Sequence, residues 1–149
     1  MRLCRLALTP VLILIVAACS GAGATASPSA PAASASAAPQ RIEVTLTDGF
    51  KIELVSATVP AGVPVTFVVT NAGAINHEFY LGDEAAQAEH EEEMMAGGMR
   101  HDEPDGISVK PGETIELTHT FDEPGETLAG CHEPGHYDAG MKAAITVTP

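Results

Sequence analysis

The chain has 149 residues, of which 7 are Lys or Arg and 20 are Asp or Glu, so its formal net charge is −13. Nucleic-acid binding needs a basic face that neutralises phosphates, and this charge balance excludes it. The acidic surface either attracts a cationic partner or serves solubility alone.

Residues 1–18 have the features of an export signal. Basic residues precede an apolar run over residues 11–18 that is too short to span a bilayer securely. The ending Ala17-Ala18-Cys19 resembles a bacterial lipobox. We therefore expect cleavage before Cys19, a diacylglycerol on its sulfur, and a bacterial lipoprotein anchored to the cell membrane and facing the periplasm or the exterior. The alternative is an ordinary secretory signal with Cys19 discarded.

Residues 19–40 separate this signal from the rest of the chain. After Cys19 they are nearly all Ala, Ser, Gly and Pro, with no charge and no aromatic ring. Such a stretch cannot bury enough apolar area to offset its chain entropy, so a flexible tether is predicted. Residues 41–149 then form one small domain, which we expect to be a monomer.

The domain is predicted to be all-β. Segments of alternating or β-branched apolar residues are separated by turns such as Asp48-Gly49. The predicted strands cover residues 42–46, 50–54, 64–70, 77–81, 114–121, 127–131 and 143–147. About seven or eight short strands at this spacing are typical of a Greek-key β-sandwich.

One segment departs from the β pattern. Residues 83–96 are rich in helix formers, with Asp83 placed to cap the helix and Gly97-Gly98 placed to end it. We expect a short helical insertion on one edge of the sandwich.

The most informative pattern lies near the C-terminus, where four residues separate Cys131 from His136 and four more separate His136 from Met141. A second candidate imidazole, His77, lies far upstream at the start of a predicted strand. Two imidazoles, a thiolate and a distant thioether form the trigonal ligand set, with a weak axial fourth ligand, that selects copper for electron transfer. The pattern therefore predicts a copper site.

The count of cysteines agrees with this prediction. Of the 3 cysteines, Cys4 leaves with the signal and Cys19 is lipidated, so Cys131 has no disulfide partner. A lone thiol in an oxidising compartment is a hazard unless something occupies it, and a metal held by the thiolate would do so.

These residues resemble the ligand motif of a known family. The motif consists of Asn76-His77 and, far downstream, Cys131, His136 and Met141. It is similar to that of the cupredoxins, which include plastocyanin, azurin and rusticyanin, and its loop spacing is most like rusticyanin and sulfocyanin-like members. The resemblance implies a Greek-key fold and one type 1 copper per chain. The equatorial ligands would be His77, Cys131 and His136, with Met141 axial.

The same resemblance implies a function. The protein would be a bacterial electron carrier, not an enzyme, that cycles between Cu(II) and Cu(I) with His136 as the electron port and an unidentified redox partner protein. Two features differ from plastocyanin and azurin. An asparagine follows the first histidine in those proteins, whereas Glu78 follows it here, and the helical insertion is not part of them. The amide of Glu133 is a candidate donor to the thiolate, because proline comes one residue later.

A second cluster of soft ligands predicts an alternative function. It lies in and after the predicted helix and contains His90, Met94, Met95, Met99 and His101. Thioethers and imidazoles together favour Cu(I), so the segment is a candidate second copper site of an extracytoplasmic copper carrier or buffer, active in copper homeostasis or resistance. The simpler interpretation is that the methionines cover the core while His90 faces solvent.

Overall fold

A computed structural model describes residues 39–97 and 102–149. The predicted export signal, the lipidation site Cys19 and nearly all of the predicted tether lie outside these residues, as do Met99 and His101 of the second cluster. Within the described ranges, no helix has the length and apolar character needed to cross a membrane.

The described residues form ten strands and one helix. In chain order these are β1 (Gln40–Thr47), β2 (Lys51–Leu54), β3 (Thr58–Pro60), β4 (Pro64–Asn71), β5 (His77–Gly82), α1 (Glu84–Met95), β6 (Asp102–Glu103), β7 (Gly106–Val109), β8 (Thr114–Thr120), β9 (Gly125–Gly130) and β10 (Lys142–Thr148).

The strands pair into two sheets. The first has the order β2-β1-β4-β8, and the second has the order β3-β10-β9-β5-β7-β6. Strand β1 is parallel to β4 and β3 is parallel to β10, whereas the other pairs are antiparallel. The predicted Greek-key β-sandwich with one short helix is confirmed. Strands β3 and β6 were not predicted, because runs of two or three residues are too short to show an alternating pattern. Strand β7 was not predicted because its residues do not alternate: Gly106, Ile107 and Val109 are all buried.

The core lies between the sheets and follows from the alternation along the strands. In β1, Ile42, Val44 and Leu46 are buried, while Arg41 and Glu43 are exposed. Side chains of the two sheets meet in the core, where Phe67 of β4 lies 5.4 Å from Phe79 of β5 between ring centroids. Such interdigitation of apolar inner faces holds the sandwich together.

Helix α1 has the cap that the sequence predicts. The side chain of Asp83 accepts a hydrogen bond from the backbone N–H of Ala86 at 2.9 Å. At the other end Gly97 adopts φ of 85°, a left-handed conformation that suits the residue after a helix.

The orientation of α1 overturns one interpretation of the second cluster. The helix packs against β5 and β9 with His90 buried, whereas Met94 is half-buried and Met95 is 74% exposed. The view that His90 faces solvent while the methionines cover the core is therefore wrong for His90 and Met95. The burial of His90 is possible because its ring nitrogen contacts a polar group of the sheet, the carboxyl group of Glu78 in β5.

Candidate metal centre

Three of the predicted ligands converge in the structure. His77, Cys131 and His136 are buried, and their ligand atoms lie within 4.8 Å of one another. The Sγ of Cys131 is 3.3 Å from Nδ1 of His136 and 3.9 Å from Nδ1 of His77. The sulfur and one nitrogen of each ring therefore face a common point.

The sheet explains why residues so distant in sequence meet. His77 begins β5 and Cys131 directly follows β9, and these strands are antiparallel neighbours. The chain then turns back through Gly135, whose φ of 81° disfavours a side chain, and the N–H of His136 donates to the carbonyl of Glu133 at 2.9 Å. This turn returns the His136 ring to the sulfur.

Met141 closes the same loop. Its backbone N–H donates to the carbonyl of His136 at 3.0 Å, and its own carbonyl accepts from the N–H of Cys131 at 3.1 Å. The side chain is fully buried. The backbone thus ties Met141 directly to the other two loop residues of the predicted ligand set.

Asp48 orients the first histidine. Its carboxylate lies 3.2 Å from Nε2 of His77 and accepts from the N–H groups of Ala74 at 2.8 Å and Ile75 at 3.5 Å. The N–H of Ala74 and, to a lesser extent, His77 hold the pKa of Asp48 below its usual value. Because Nε2 is held by Asp48, Nδ1 is the nitrogen presented to Cys131.

Asn71 fixes the loop that leads to His77. Its side-chain nitrogen donates to the carbonyls of Ile75 at 2.7 Å and Val109 at 2.8 Å, and its oxygen accepts from the N–H of Gly73 at 2.8 Å. Asn71 is fully buried, whereas Asn76, which directly precedes His77, is exposed. The asparagine that stiffens this loop is therefore Asn71, and the sequence analysis missed it along with Asp48.

The sulfur of Cys131 receives hydrogen bonds from the backbone. The N–H of Glu78 donates to it at 3.3 Å, and the N–H of Glu133 also donates, as predicted. Burial raises the pKa of the Cys131 thiol to about 12, and these two donors counteract part of that rise. Backbone donors of this kind stabilise the thiolate that a metal requires.

His136 lies at the edge of the site and is 9% exposed. Its ring centroid is 4.9 Å from that of Phe50 and 5.1 Å from that of His77. Burial, with a contribution from His77, lowers the pKa of His136, although Asp48 acts in the opposite direction. A lowered pKa favours the neutral ring, which is the form that binds a metal.

A buried polar group that the sequence analysis missed adjoins the site. Glu78 is 2% exposed, and its carboxyl oxygens lie 2.9 Å from Nε2 of His90 and 3.2 Å from the N–H of His132, which donates to it. Glu78 alternates with the core residues Phe79 and Leu81, so its side chain is on the opposite face of β5, where the strand pattern alone predicts exposure. Helix α1 covers that face, and a buried carboxyl group there needs polar partners. The structure thus gives His90 a contact with Glu78, and Met94 lies half-buried one helical turn later. Copper binding by the second cluster, of which Met99 and His101 lie outside the described residues, stays a prediction.

The donor chemistry fits copper. Two imidazole nitrogens and one thiol in a buried and rigidly hydrogen-bonded pocket match the trigonal nitrogen and sulfur set that copper prefers. A structural zinc site would bring a fourth nitrogen, thiolate or carboxylate, and the cluster of described residues contains three such groups.

Comparison with known proteins agrees with this chemistry. Residues 40–148 match the family model of copper binding proteins of the plastocyanin/azurin family. The copper-resistant cuproprotein CopI of Pseudomonas aeruginosa is 37% identical over 143 residues, covering 75% of this chain and 78% of CopI. CopI of Rubrivivax gelatinosus is 34% identical over 111 residues, covering 74% of this chain and 67% of that protein.

Solved structures give the same answer for the fold. Reduced auracyanin from Roseiflexus castenholzii superposes with a TM-score of 0.64 and is 26% identical, covering 75% of this chain and 99% of auracyanin. The cofactor of the present protein is copper. The chain belongs to the plastocyanin/azurin family of copper-binding proteins, the cupredoxins.

Proposed function

We propose that this protein binds copper outside the cytoplasm and protects the cell against excess copper. The buried cluster of His77, Cys131 and His136 is the observation that carries the proposal. Two relatives that this chain matches over most of their length are named copper-resistant cuproproteins, which supports a role in resistance. The signal-like N-terminus and the lipobox at Cys19 support a membrane-anchored position on the outer side.

Each residue of the site would have a distinct role in binding copper. His77 and His136 would bind copper through Nδ1 and Cys131 through its sulfur. Buried Met141 would supply the fourth ligand that the sequence predicts. Bound copper supplies one-electron chemistry between Cu(II) and Cu(I). The two backbone donors to Cys131 favour its thiolate form, and burial keeps water from competing for the ligand atoms. None of these roles requires a substrate pocket, so we propose no enzymatic activity.

One-electron transfer is the second candidate function. The observation that favours it is the rigidity of the ligand segments, where Asp48 and Asn71 fix the loop before His77 and backbone hydrogen bonds fix the loop after Cys131. A site that barely rearranges between oxidation states exchanges electrons quickly. His136, at the edge of the site, would be the electron port to a partner protein.

Copper tolerance distinguishes the two functions. The full chain is produced in a copper-sensitive bacterial strain, beside a Cys131→Ser variant that lacks the sulfur ligand. Protection by the wild-type chain and none by the variant is the expected result, measured as growth against increasing copper concentration. Equal growth of both strains would contradict a role in resistance. If the purified wild-type protein still exchanged electrons rapidly in that case, electron transfer would be the better assignment.

A further inference from the structure

Helix α1 and the copper site are joined by buried polar contacts. We propose that α1 is a clamp on the copper centre, in which His90 acts on Glu78, and other residues of the helix act on His132, to position the sulfur of Cys131. These are positioning residues, because none of them supplies a ligand atom to the cluster. The inference deepens the copper-binding function proposed above and rests on it.

Glu78 is the first element of the clamp, because it connects the two segments that carry the ligands. It directly follows His77, and its backbone N–H donates to the sulfur of Cys131 at 3.3 Å. Its carboxyl group accepts from the backbone N–H of His132, the residue after Cys131, at 3.2 Å. Glu78 therefore contacts both the sulfur of Cys131 and the backbone N–H of the next residue, His132.

His90 brings α1 to this residue. Its Nε2 lies 2.9 Å from the Glu78 carboxyl group, and the two side chains are 3% and 2% exposed. The His90 ring stacks on Tyr80 with a centroid distance of 3.9 Å and parallel planes. Since both groups are shielded from solvent, water cannot replace this contact easily, and the orientation of the Glu78 carboxyl group depends on His90.

The helix holds His132 as well. The Nε2 of His132 lies 2.7 Å from the side-chain oxygen of Gln87, and Nδ1 contacts the carboxylate of Glu91. The ring also stacks on Tyr137 at a centroid distance of 4.5 Å. The amide nitrogen of Gln87 lies within 3.3 Å of three backbone carbonyls, those of Tyr80, Gly82 and Leu128. Gln87 is thus anchored to β5 and β9 while it holds His132.

The burial pattern of α1 shows what the helix is built to contact. A helix that packs for stability alone buries an apolar stripe. In α1 the buried residues are Gln87 and His90, and both are polar. Each reaches a residue adjacent to a predicted copper ligand, since Glu78 follows His77 and His132 follows Cys131. The inward face of the helix is therefore directed at the ligand-bearing segments.

The test separates hydrogen bonding from packing at His90. His90→Phe keeps a ring against Tyr80 but removes the hydrogen bond to Glu78, whereas His90→Gln keeps a donor and loses the ring. Glu89→Gln is the control, because Glu89 is exposed on the same helix. The full chain is loaded with copper, and its sulfur-to-copper absorption bands and its copper affinity against a competing chelator are measured. In the metal-free protein, alkylation of Cys131 by iodoacetamide is followed by peptide mass spectrometry.

We expect His90→Phe to change the ratio of the absorption bands, to weaken copper binding roughly 10- to 100-fold, and to speed alkylation of metal-free Cys131. His90→Gln should lie closer to wild type in all three measurements, and Glu89→Gln should equal wild type. A folded His90→Phe protein with the wild-type spectrum, affinity and alkylation rate would overturn the clamp. So would a His90→Gln protein that is more strongly affected than His90→Phe, because packing would then be the role of the ring.

A second variant covers the case in which His90→Phe does not fold. Glu78→Gln preserves size and shape but weakens the contact with His90, and the same change in spectrum and affinity is expected. Wild-type values would refute the clamp.

Failure of the clamp is distinct from failure of the proposed function. Without a clamp, wild-type protein still confers copper tolerance, whereas without a role in resistance it confers none and the spectra of the variants still differ.

Discussion

Asp48 holds the His77 ring by the nitrogen that points away from the sulfur. It also accepts from the backbone of Ala74 and so links the ring to the loop before it. We expect Asp48→Ala to lower copper affinity roughly 10- to 100-fold, because partners that orient a ligand typically contribute that much. Titration against a chelator measures the change. Asp122→Ala, which removes the same charge from an exposed loop, is the control, and equal affinities of the two variants would contradict the role of Asp48.

Cys131 gives the metal-free protein a defined pH dependence. Burial raises the pKa of its thiol from 9.0 to about 12, so the folded state keeps a proton that the unfolded state releases. The resulting stability is fully present below pH 9 and is lost as the pH rises toward 12. We expect the free energy of unfolding to fall by about 1 kcal/mol per pH unit in this window. Urea unfolding of metal-free wild type and Cys131→Ser at several pH values measures it, and the variant should lack this part of the slope.

At the scale of elements, the end of β4 stabilises the ligand loop through Asn71. Asn71→Ala would leave the buried carbonyl of Val109 without this donor, and such a loss costs roughly 1–3 kcal/mol. The free energy of unfolding, measured with urea, should fall by that amount. Asn76→Ala is a matched control, because the same side chain is removed at an exposed position five residues later. Equal losses in the two variants would show that Asn71 has no special role.

At the scale of the whole molecule, the candidate ligands lie between residues 77 and 141 of the sequence, more than fifty positions after the predicted lipidation site Cys19. We expect Cys19→Ser to release the protein from the membrane fraction while its copper spectrum stays unchanged, since the anchor and the metal site share no residue. Cell fractionation and absorption spectroscopy test both parts. Cys4→Ser, which changes the signal and not the anchor, should leave the protein in the membrane fraction. Retention of the Cys19→Ser protein in membranes would contradict the lipoprotein prediction.

The sequence predicted the fold well because the signals for it are local. The alternation in β1 predicts which side chains of that strand are buried, and Asp83 predicts where the helix begins, from neighbouring residues alone. The helix predicted over residues 83–96 is observed at Glu84–Met95. Spacing also predicted that Cys131 and His136 share a loop. The assignment of the four ligands to copper, and the lipidation of Cys19, stay predictions.

What the sequence alone determined is the set of donor atoms and the strand pattern that can bring them together. The tertiary structure decided how those atoms are held. The contact of Glu78 with His90 and the contact of Asp48 with His77 join residues 12 and 29 positions apart, and the contact of His132 with Glu91 spans 41. The periodicity of the sequence does not predict such contacts, because whether a polar side chain is buried depends on the partner that tertiary packing brings to it.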